Sequence, residues 1–428
     1  MKIAIIGGGV TGLTAAYSLA RSGHAVTVYE KESFLGGLAY GFKAPEWDWH
    51  IEGAYHHLFT NDREILSLIN ELGLADAVRI VRPNTSTLWR GKMYQLDSPL
   101  ALLKFPGLSP LDKIRTGMLL GFLKFNPFWK PLEGFTAEHL LISIGGKRAW
   151  NIIWEPLLYG KFGAFAPRVA ASWFWARIVK RTPRLCYIDG GFHTLIETLA
   201  ASVRKHDGTI KTGTSIDAIK QSGHGFRILH GKTSATFDRV LITAPTPLAE
   251  KIAPFLPASY TKALHTIPHL FAQVLILETK RPLFRDVYWL NVTDRSYPFL
   301  AAVAHTNFMS PSHYGGKHLT YFGNYLPKDH RYLTHTKEQL FKKFLPYIKK
   351  LCPDIAYEVK TMKSYMFIGP YAQPVHERHY SQKIPSIQTP VPGLYMANMD
   401  YIVPWDRGTN YAVLLGQNAA HCILNQAD

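Results

Sequence analysis

The run Lys2 to Ile6 is short, apolar and rich in β-branched residues, and it leads directly into Gly7-x-Gly9-x-x-Gly12. An apolar run of that length bounded by glycine reads as a buried parallel strand. Leu13 to Arg21 then reads as a helix, so the three glycines fall in a strand–turn–helix unit. Each has a physical task there. Gly7 allows the tight turn, Gly9 lets backbone approach a pyrophosphate, and Gly12 lets helix and strand pack closely. Few folds other than a nucleotide-binding α/β sheet need all three.

The next stretch of chain narrows the ligand. A second strand, Ala25 to Tyr29, ends at Glu30, 23 residues after Gly7, where a carboxylate can accept from the ribose hydroxyls of an adenosine. Gly36-Gly37-Leu38 then supplies a second glycine pair, which a nicotinamide site does not need. Together these favour a dinucleotide, with FAD preferred over NAD.

The chain has 428 residues, 47% hydrophobic and 18% charged, which suits two interleaved domains rather than one small core. Cys186, Cys352 and Cys422 are odd in number and widely spaced, so they form no disulfide framework or metal motif, and a reducing cytoplasm is the simplest home. With a cofactor strand beginning at residue 2, no cleavable signal is expected. The net charge is +17, and residues 101–185, with 13 Lys or Arg against 4 Asp or Glu, hold +9 of it. That segment is crowded with aromatics, among them Phe122, Phe125, Phe128, Trp129, Trp154, Trp173 and Trp175. No nucleic-acid fold signature accompanies them, so the expected partner is an anionic substrate or an anionic membrane face, set against a plain solvated face over an aromatic core. The apolar run Met118 to Leu123 is too short to cross a bilayer, so the expected attachment is peripheral, on the cytoplasmic face of an inner membrane.

Along the rest of the chain, helices are expected from Asn61 to Gly73, from Pro110 towards Lys124, from Ala137 to Ile144 behind a Thr136 cap, and from His193 to Lys205. Strands are expected at Thr209 to Lys211, Ser215 to Ile219, Phe226 to Leu229, Asp238 to Pro245, Phe271 to Leu277, Tyr321 to Tyr325 and Gly393 to Asn398. His50, His56, His57 and Glu52 lie within eight residues, but their spacing matches no zinc pattern and no metal is expected. Glu155 and Lys161 face either a cavity or each other as an ion pair. Residues 1–80, 186–250 and 390–428 read as a discontinuous nucleotide-binding domain, and 81–185 with 251–389 as a substrate domain. A last helix starting near Gly408 could aim its positive end at a flavin's N1–C2 carbonyl edge.

The chain resembles the FAD-dependent superfamily of protoporphyrinogen oxidases, phytoene desaturases, monoamine oxidases and UDP-galactopyranose mutases. The likeness extends over nearly the whole length. It is nearest to bacterial protoporphyrinogen-oxidase-like, NAD(P)/FAD-dependent oxidoreductases, which share runs like Tyr55-His56-His57, Trp154-Glu155-Pro156-Leu157-Leu158 and Asp406-Arg407-Gly408-Thr409-Asn410-Tyr411. The resemblance implies an α/β fold in which a Rossmann-type FAD domain with a parallel sheet interleaves with an α+β substrate domain containing a mixed sheet and a helical segment. It implies that Gly7, Gly9, Val10, Thr11 and Gly12 meet the pyrophosphate and Glu30 with Lys31 the adenosine ribose. Gly36, Gly37 and Leu38 would follow the ribityl path, and Ile216 would lie at the adenine. Ala244, Asn398, Gly408, Thr409, Asn410 and Tyr411 would flank the flavin. His56, His57, Tyr325, Arg407 and Asn410 are the candidates beside the reacting ring.

Two departures bear on the chemistry. The superfamily's Gly-Asp at the end of the last strand is replaced by Asn398-Met399, so its acidic contact is missing or moved to Asp400. The flavin-facing lysine of amine oxidases is replaced on the Phe271–Leu277 strand by Gln273 and Val274. In the family that lysine assists reaction with oxygen. The expected activity is therefore a dehydrogenase or desaturase that moves a hydride from an apolar or amphipathic substrate (lipid, polyprenyl or porphyrin) to flavin N5, with electrons passed to an unidentified acceptor. The alternatives are a redox-neutral mutase of a nucleotide sugar, with Lys161 and Arg407 clamping its diphosphate, an amine oxidase, and a non-catalytic FAD-binding scaffold.

Overall fold

A computed structural model describes residues 1–425. Its organising layer is a five-stranded, wholly parallel sheet in the order Thr209–Lys211, Ala25–Tyr29, Lys2–Ile6, Arg239–Ile242, Leu394–Met396. Ile3, Ala4 and Ile5 are fully buried at its centre, as a strand covered on both faces requires. The first helix spans Val10–Arg21, three residues earlier than its apolar spacing suggests. Its opening turn contains Gly12, where a Cβ would stand 2.0 Å from the Gly7 carbonyl oxygen. No other residue fits. The same helix crosses the last one, Thr409–Leu424, at equally close range, with a Cβ on Gly416 falling 2.5 Å from the Thr11 oxygen.

A seven-stranded mixed sheet forms the second layer, in the order Lys363–Pro374, His269–Thr279, His318–Leu326, Ala301–Ala304, Trp289–Val292, Thr85–Trp89, Lys92–Gln95. Its strands alternate between two cores. Leu275 and Leu277 face a cluster with Phe322 and Phe344, while Val274 and Ile276 join the core of the parallel sheet. A small antiparallel sheet pairs Leu185–Ile188 with Leu58–Phe59 and Val78–Val81. A three-stranded hairpin system covers 218–237. The strand expected at Ser215 to Ile219 runs instead from Ala218 to Ser222, because its register is set by the partner Gly225–His230.

The helical segment between 99 and 180 packs around Leu119, Leu123, Phe162, Trp173 and Trp175. Thr136 caps its helix through the His139 amide, yet the α-helix ends at Leu140 and widens into a π turn over Leu141–Gly145. The Trp154 region is likewise a π turn, Trp150–Trp154, before the helix Glu155–Phe162. Glu155 pairs with Arg295 at 3.5 Å and not with Lys161.

Candidate active site

Nucleotides bind α/β sheets beyond the carboxyl ends of the strands, and here that end carries Gly7 and Glu30. Glu30 is buried, accepting the Gly8 amide at 2.7 Å on Oε2 and the Glu32 amide at 2.9 Å on Oε1. Gly36, at φ +104°, bridges back to Gly9, so the two glycine turns lie side by side. A Cβ on Gly9 would meet nothing within 4 Å. The helix behind it has no side-chain cap and no acidic residue in its first turn. Free N–H groups, open space and an anchored carboxylate fit the pyrophosphate and ribose of a dinucleotide. Leu38 lies between this turn and the mixed sheet, against Gly369. Ile216 is buried near the rim, and Lys31 is exposed, paired only with Glu32. A cleft of about 630 Å³ at Met1, Lys2, Gly23, Phe226 and Asp238 lies at the opposite, amino end of the same strands and has no part in this site.

The far end of the site is built from side chains. Asp406, in the loop before the last helix, accepts from Trp173 Nε1 at 2.9 Å, Arg177 Nη1 at 2.6 Å, Lys161 Nζ at 3.2 Å and Gln373 Nε2 at 3.1 Å. Trp173 and Arg177 reach it together because they are four apart on the helix Ala171–Lys180. Arg407 donates from Nε to Gln373 Oε1 at 2.9 Å and lies 4.8 Å over the Tyr325 ring. Lys161 stands over the rings of Trp173 and Tyr325 at 4.7 and 5.5 Å. In this aromatic cage one carboxylate thus serves two cations directly, Lys161 and Arg177, while Arg407 is tied to it through Gln373. Burial opposes ionisation of Asp406, but Lys161, Arg177 and the Trp173 N–H outweigh it and hold the carboxyl far below its usual range. Burial and the two arginines hold the Lys161 ammonium well below its usual range, and Asp406 offsets this only in part. Burial also brings Arg407 down to about 10, which leaves it charged at neutral pH.

The histidine pair borders this cage. Burial lowers His56 to about 4 and His57 to about 3, with Arg407 and Arg181 respectively among the further causes, so both are neutral at pH 7. His56 Nδ1 faces the Ala54 carbonyl at 2.7 Å. A carbonyl only accepts, so Nδ1 carries the proton and Nε2 keeps a free lone pair. His57 Nδ1 lies 3.1 Å from the Tyr288 hydroxyl.

Several expected residues have other work. Asn410 is buried, and its Oδ1 accepts the Ile65 amide at 3.0 Å while Nδ2 donates to Glu64 at 2.7 Å. It caps the helix Arg63–Glu71, with both its polar atoms engaged in holding that helix. Asn398 donates to Ala244 O and accepts from the Asp400 amide, locking the strand end. The Asp400 carboxylate is taken by Thr246 at 2.7 Å and by His269, so it does not replace the missing acidic contact. Gln273 turns to the Tyr332 carbonyl, away from the cage. Thr409 opens the last helix, again with no side-chain cap at Gly408, and Tyr411 stacks on Trp405 at 5.6 Å. That helix end is a second place where free N–H groups can meet developing negative charge. Among the described residues, no three His, Cys, Asp or Glu side chains are grouped to hold an ion.

Asp406 lies in the run that the resemblance marks, but Trp173, Arg177 and Gln373 are not legible as site residues in the sequence. Only the i, i+4 spacing of Trp173 and Arg177 on an apolar helix hints at a shared target.

The family described as flavin containing amine oxidoreductase has a sequence model that matches residues 10–424. Zeta-carotene desaturase of Arabidopsis thaliana is 28% identical over 185 residues, 37% of this chain and 32% of that one. The chain spans about a third of the length of the first curated relatives it matches. Among solved structures, an oxidoreductase from Methanosarcina mazei superposes with a TM-score of 0.74 at 19% identity, covering 98% of this chain and 100% of that one. Cyclohexylamine oxidase from Brevibacterium oxydans gives 0.73 at 15% identity, covering 99% of each.

Proposed function

Because the chain belongs to the family of flavin containing amine oxidoreductases, we propose that it is an FAD-dependent oxidoreductase acting on an apolar or amphipathic substrate that carries an acidic group. The flavin supplies a hydride-accepting centre when bound. The chain's own residues do the rest. Gly7, Gly9 and Gly12, with Glu30, would hold the dinucleotide, and Gly36-Gly37 would line its path. The Tyr325–Trp173–Lys161 cage would hold the substrate's body, and Arg407 and Arg177, each with guanidinium nitrogens not spent on Asp406 or Gln373, would meet its anionic end. His56 Nε2 is placed to accept a proton.

The observation that carries this reading is the excess of cations in the cage. Arg177, Arg407 and Lys161 gather around a single carboxylate, with Lys161 and Asp406 largely buried, and an anion joining them would relieve that imbalance. The same excess repels an ammonium group, which argues against an amine substrate. It is also what favours the second reading, a redox-neutral mutase whose substrate brings a diphosphate. An anionic membrane surface as substrate source, and an electron acceptor other than oxygen, complete the proposal.

The test is the visible spectrum of the purified protein under anaerobic addition of candidate substrates. Bleaching of a flavin band by an apolar carboxylate or phosphate, with slow return in air, supports a dehydrogenase. Turnover of a nucleotide sugar only after pre-reduction, without net redox change, supports the mutase. A flavin band bleached rapidly by amines would overturn both.

A further inference from the structure

The helix Pro110–Phe125 is apolar on both faces, with Leu119 and Leu123 buried in the core beneath it. Its exposed large side chains are Leu111, Ile114, Met118, Phe122 and Phe125, at 47–86% exposure, and they recur every three or four residues. Gly117 and Gly121 lie between them with open space around their Cα atoms. Phe128 beyond the helix is 72% exposed, and Leu100 and Leu103 on the preceding turn are about 60% exposed. Its charged groups all point back into the protein. Asp112 forms a capping box with Ser109 and faces Arg148. Lys113 donates to the Leu103 carbonyl, and Arg115 to the Ser143 and Ile144 carbonyls. Lys124 donates to the carbonyls of Val179 and Arg181 at 2.9 and 2.7 Å. A helix facing water arranges these two sets of side chains the other way round.

We propose that this face inserts into the headgroup–acyl boundary of an anionic phospholipid surface, with the helix lying in the plane of the membrane. Length supports a helix that lies on a bilayer and does not cross it. Among the described residues, no helix is long and apolar enough to span one. Charge supports lipid over a second copy of the chain. Lys104, Lys130 and Lys147 are exposed around the stripe. The two acidic residues between positions 99 and 135 are both engaged, Asp112 by Ser109 and Glu133 by Ser381. A two-fold self-contact would therefore set one cationic collar against another, whereas anionic headgroups would neutralise both collar and stripe rim. The attachment also has a physical link to the cage. Lys124 grips the C-terminal end of the helix that carries Trp173 and Arg177, so an amphipathic substrate leaving the membrane would have one helical layer to pass.

The inference deepens the proposed function by naming the surface on which the basic, aromatic segment rests, and it is tested without turnover. The flavin-loaded protein is centrifuged with vesicles of phosphatidylcholine containing 30 mol% phosphatidylglycerol, and with pure phosphatidylcholine. Expected are co-sedimentation with the anionic vesicles, at least tenfold weaker binding to the neutral ones, and at least tenfold loss in Ile114→Glu/Phe125→Glu. Lys104→Glu/Lys130→Glu should lose several-fold and flatten the salt dependence. All variants should keep full flavin absorbance, which separates a failure of docking from a failure of the cofactor reading. Absence of vesicle binding, binding indifferent to these substitutions, or a dimer in sedimentation velocity that Ile114→Glu/Phe125→Glu dissolves would overturn it.

Discussion

The two ends of the candidate site are made of different materials. At the nucleotide end, backbone forms the site: two glycine turns, an uncapped helix and one carboxylate tied by amides, all within residues 7–37. At the cage end, side chains form it, and they come from four separate elements. Lys161, Trp173 with Arg177, Tyr325 and Gln373 converge on a loop at Asp406 and Arg407. A backbone site depends on glycine at fixed offsets, so it tolerates little change and is readable from a single stretch. A side-chain site can be rebuilt from another set of residues without altering the fold. The first kind of site fixes the cofactor, and the second sets what is done with it.

The largest effect should come from Gly9→Asp. Open space at Gly9 means the protein folds, but a carboxylate would stand against the pyrophosphate. Flavin binding should weaken by 100-fold or more with an unchanged thermal midpoint in the apo form; full flavin occupancy would show that this end is not the binding site.

Asp406→Asn attacks the other end. It leaves Lys161 and Arg177 without their buried counter-charge, at a cost of about 3–5 kcal/mol in denaturant unfolding. An added anionic ligand should restore part of that loss. A variant as stable as the parent would mean that the two cations are compensated elsewhere.

Glu52 is buried away from both ends, accepting from Tyr187 at 2.9 Å and from the Phe192 amide at 2.8 Å while Tyr321 donates to its backbone oxygen. Burial lifts its pKa from 4.5 to about 7. The folded protein then holds a proton that the unfolded chain has released, so this group's contribution falls as pH rises from about 4.5 to 7. The loss is about 3 kcal/mol at most. Glu52→Gln should flatten that part of the stability–pH curve, and an unaltered slope would assign it to other groups.

The smallest effect expected is that of Asn410→Ala. Losing the cap on Ile65 should cost about 1–2 kcal/mol and leave the rate of flavin reduction by substrate within twofold. A drop of 100-fold in that rate would return Asn410 to the chemistry.

The same division explains how much of the site is legible in the sequence. The glycine turn, Glu30, the parallel strands and the last helix can be read from local spacing, because each is a short-range backbone demand. The cage cannot, because Asp406 and Trp173 are 233 positions apart and nothing in the run from Asp406 to Tyr411 points to Trp173. Asn410 misleads for a related reason. A polar residue at a helix start beside a cofactor looks available until its partner, the amide of Ile65, is seen 345 positions away. The Ala137–Ile144 helix fails on smaller grounds, since propensity carries no sign of a π turn.

The interleaving of the parallel sheet has a consequence for how the protein is made. Its central strand Lys2–Ile6 is made long before the edge strand Leu394–Met396 and the helix Thr409–Leu424 that packs against Val10–Arg21. Until they arrive, Gly12 and Thr11 lack the surface that Gly416 provides. The surface behind the glycine turn is therefore completed only once residues 394–424 exist, and over that interval the half-built sheet edge is open to pairing elsewhere.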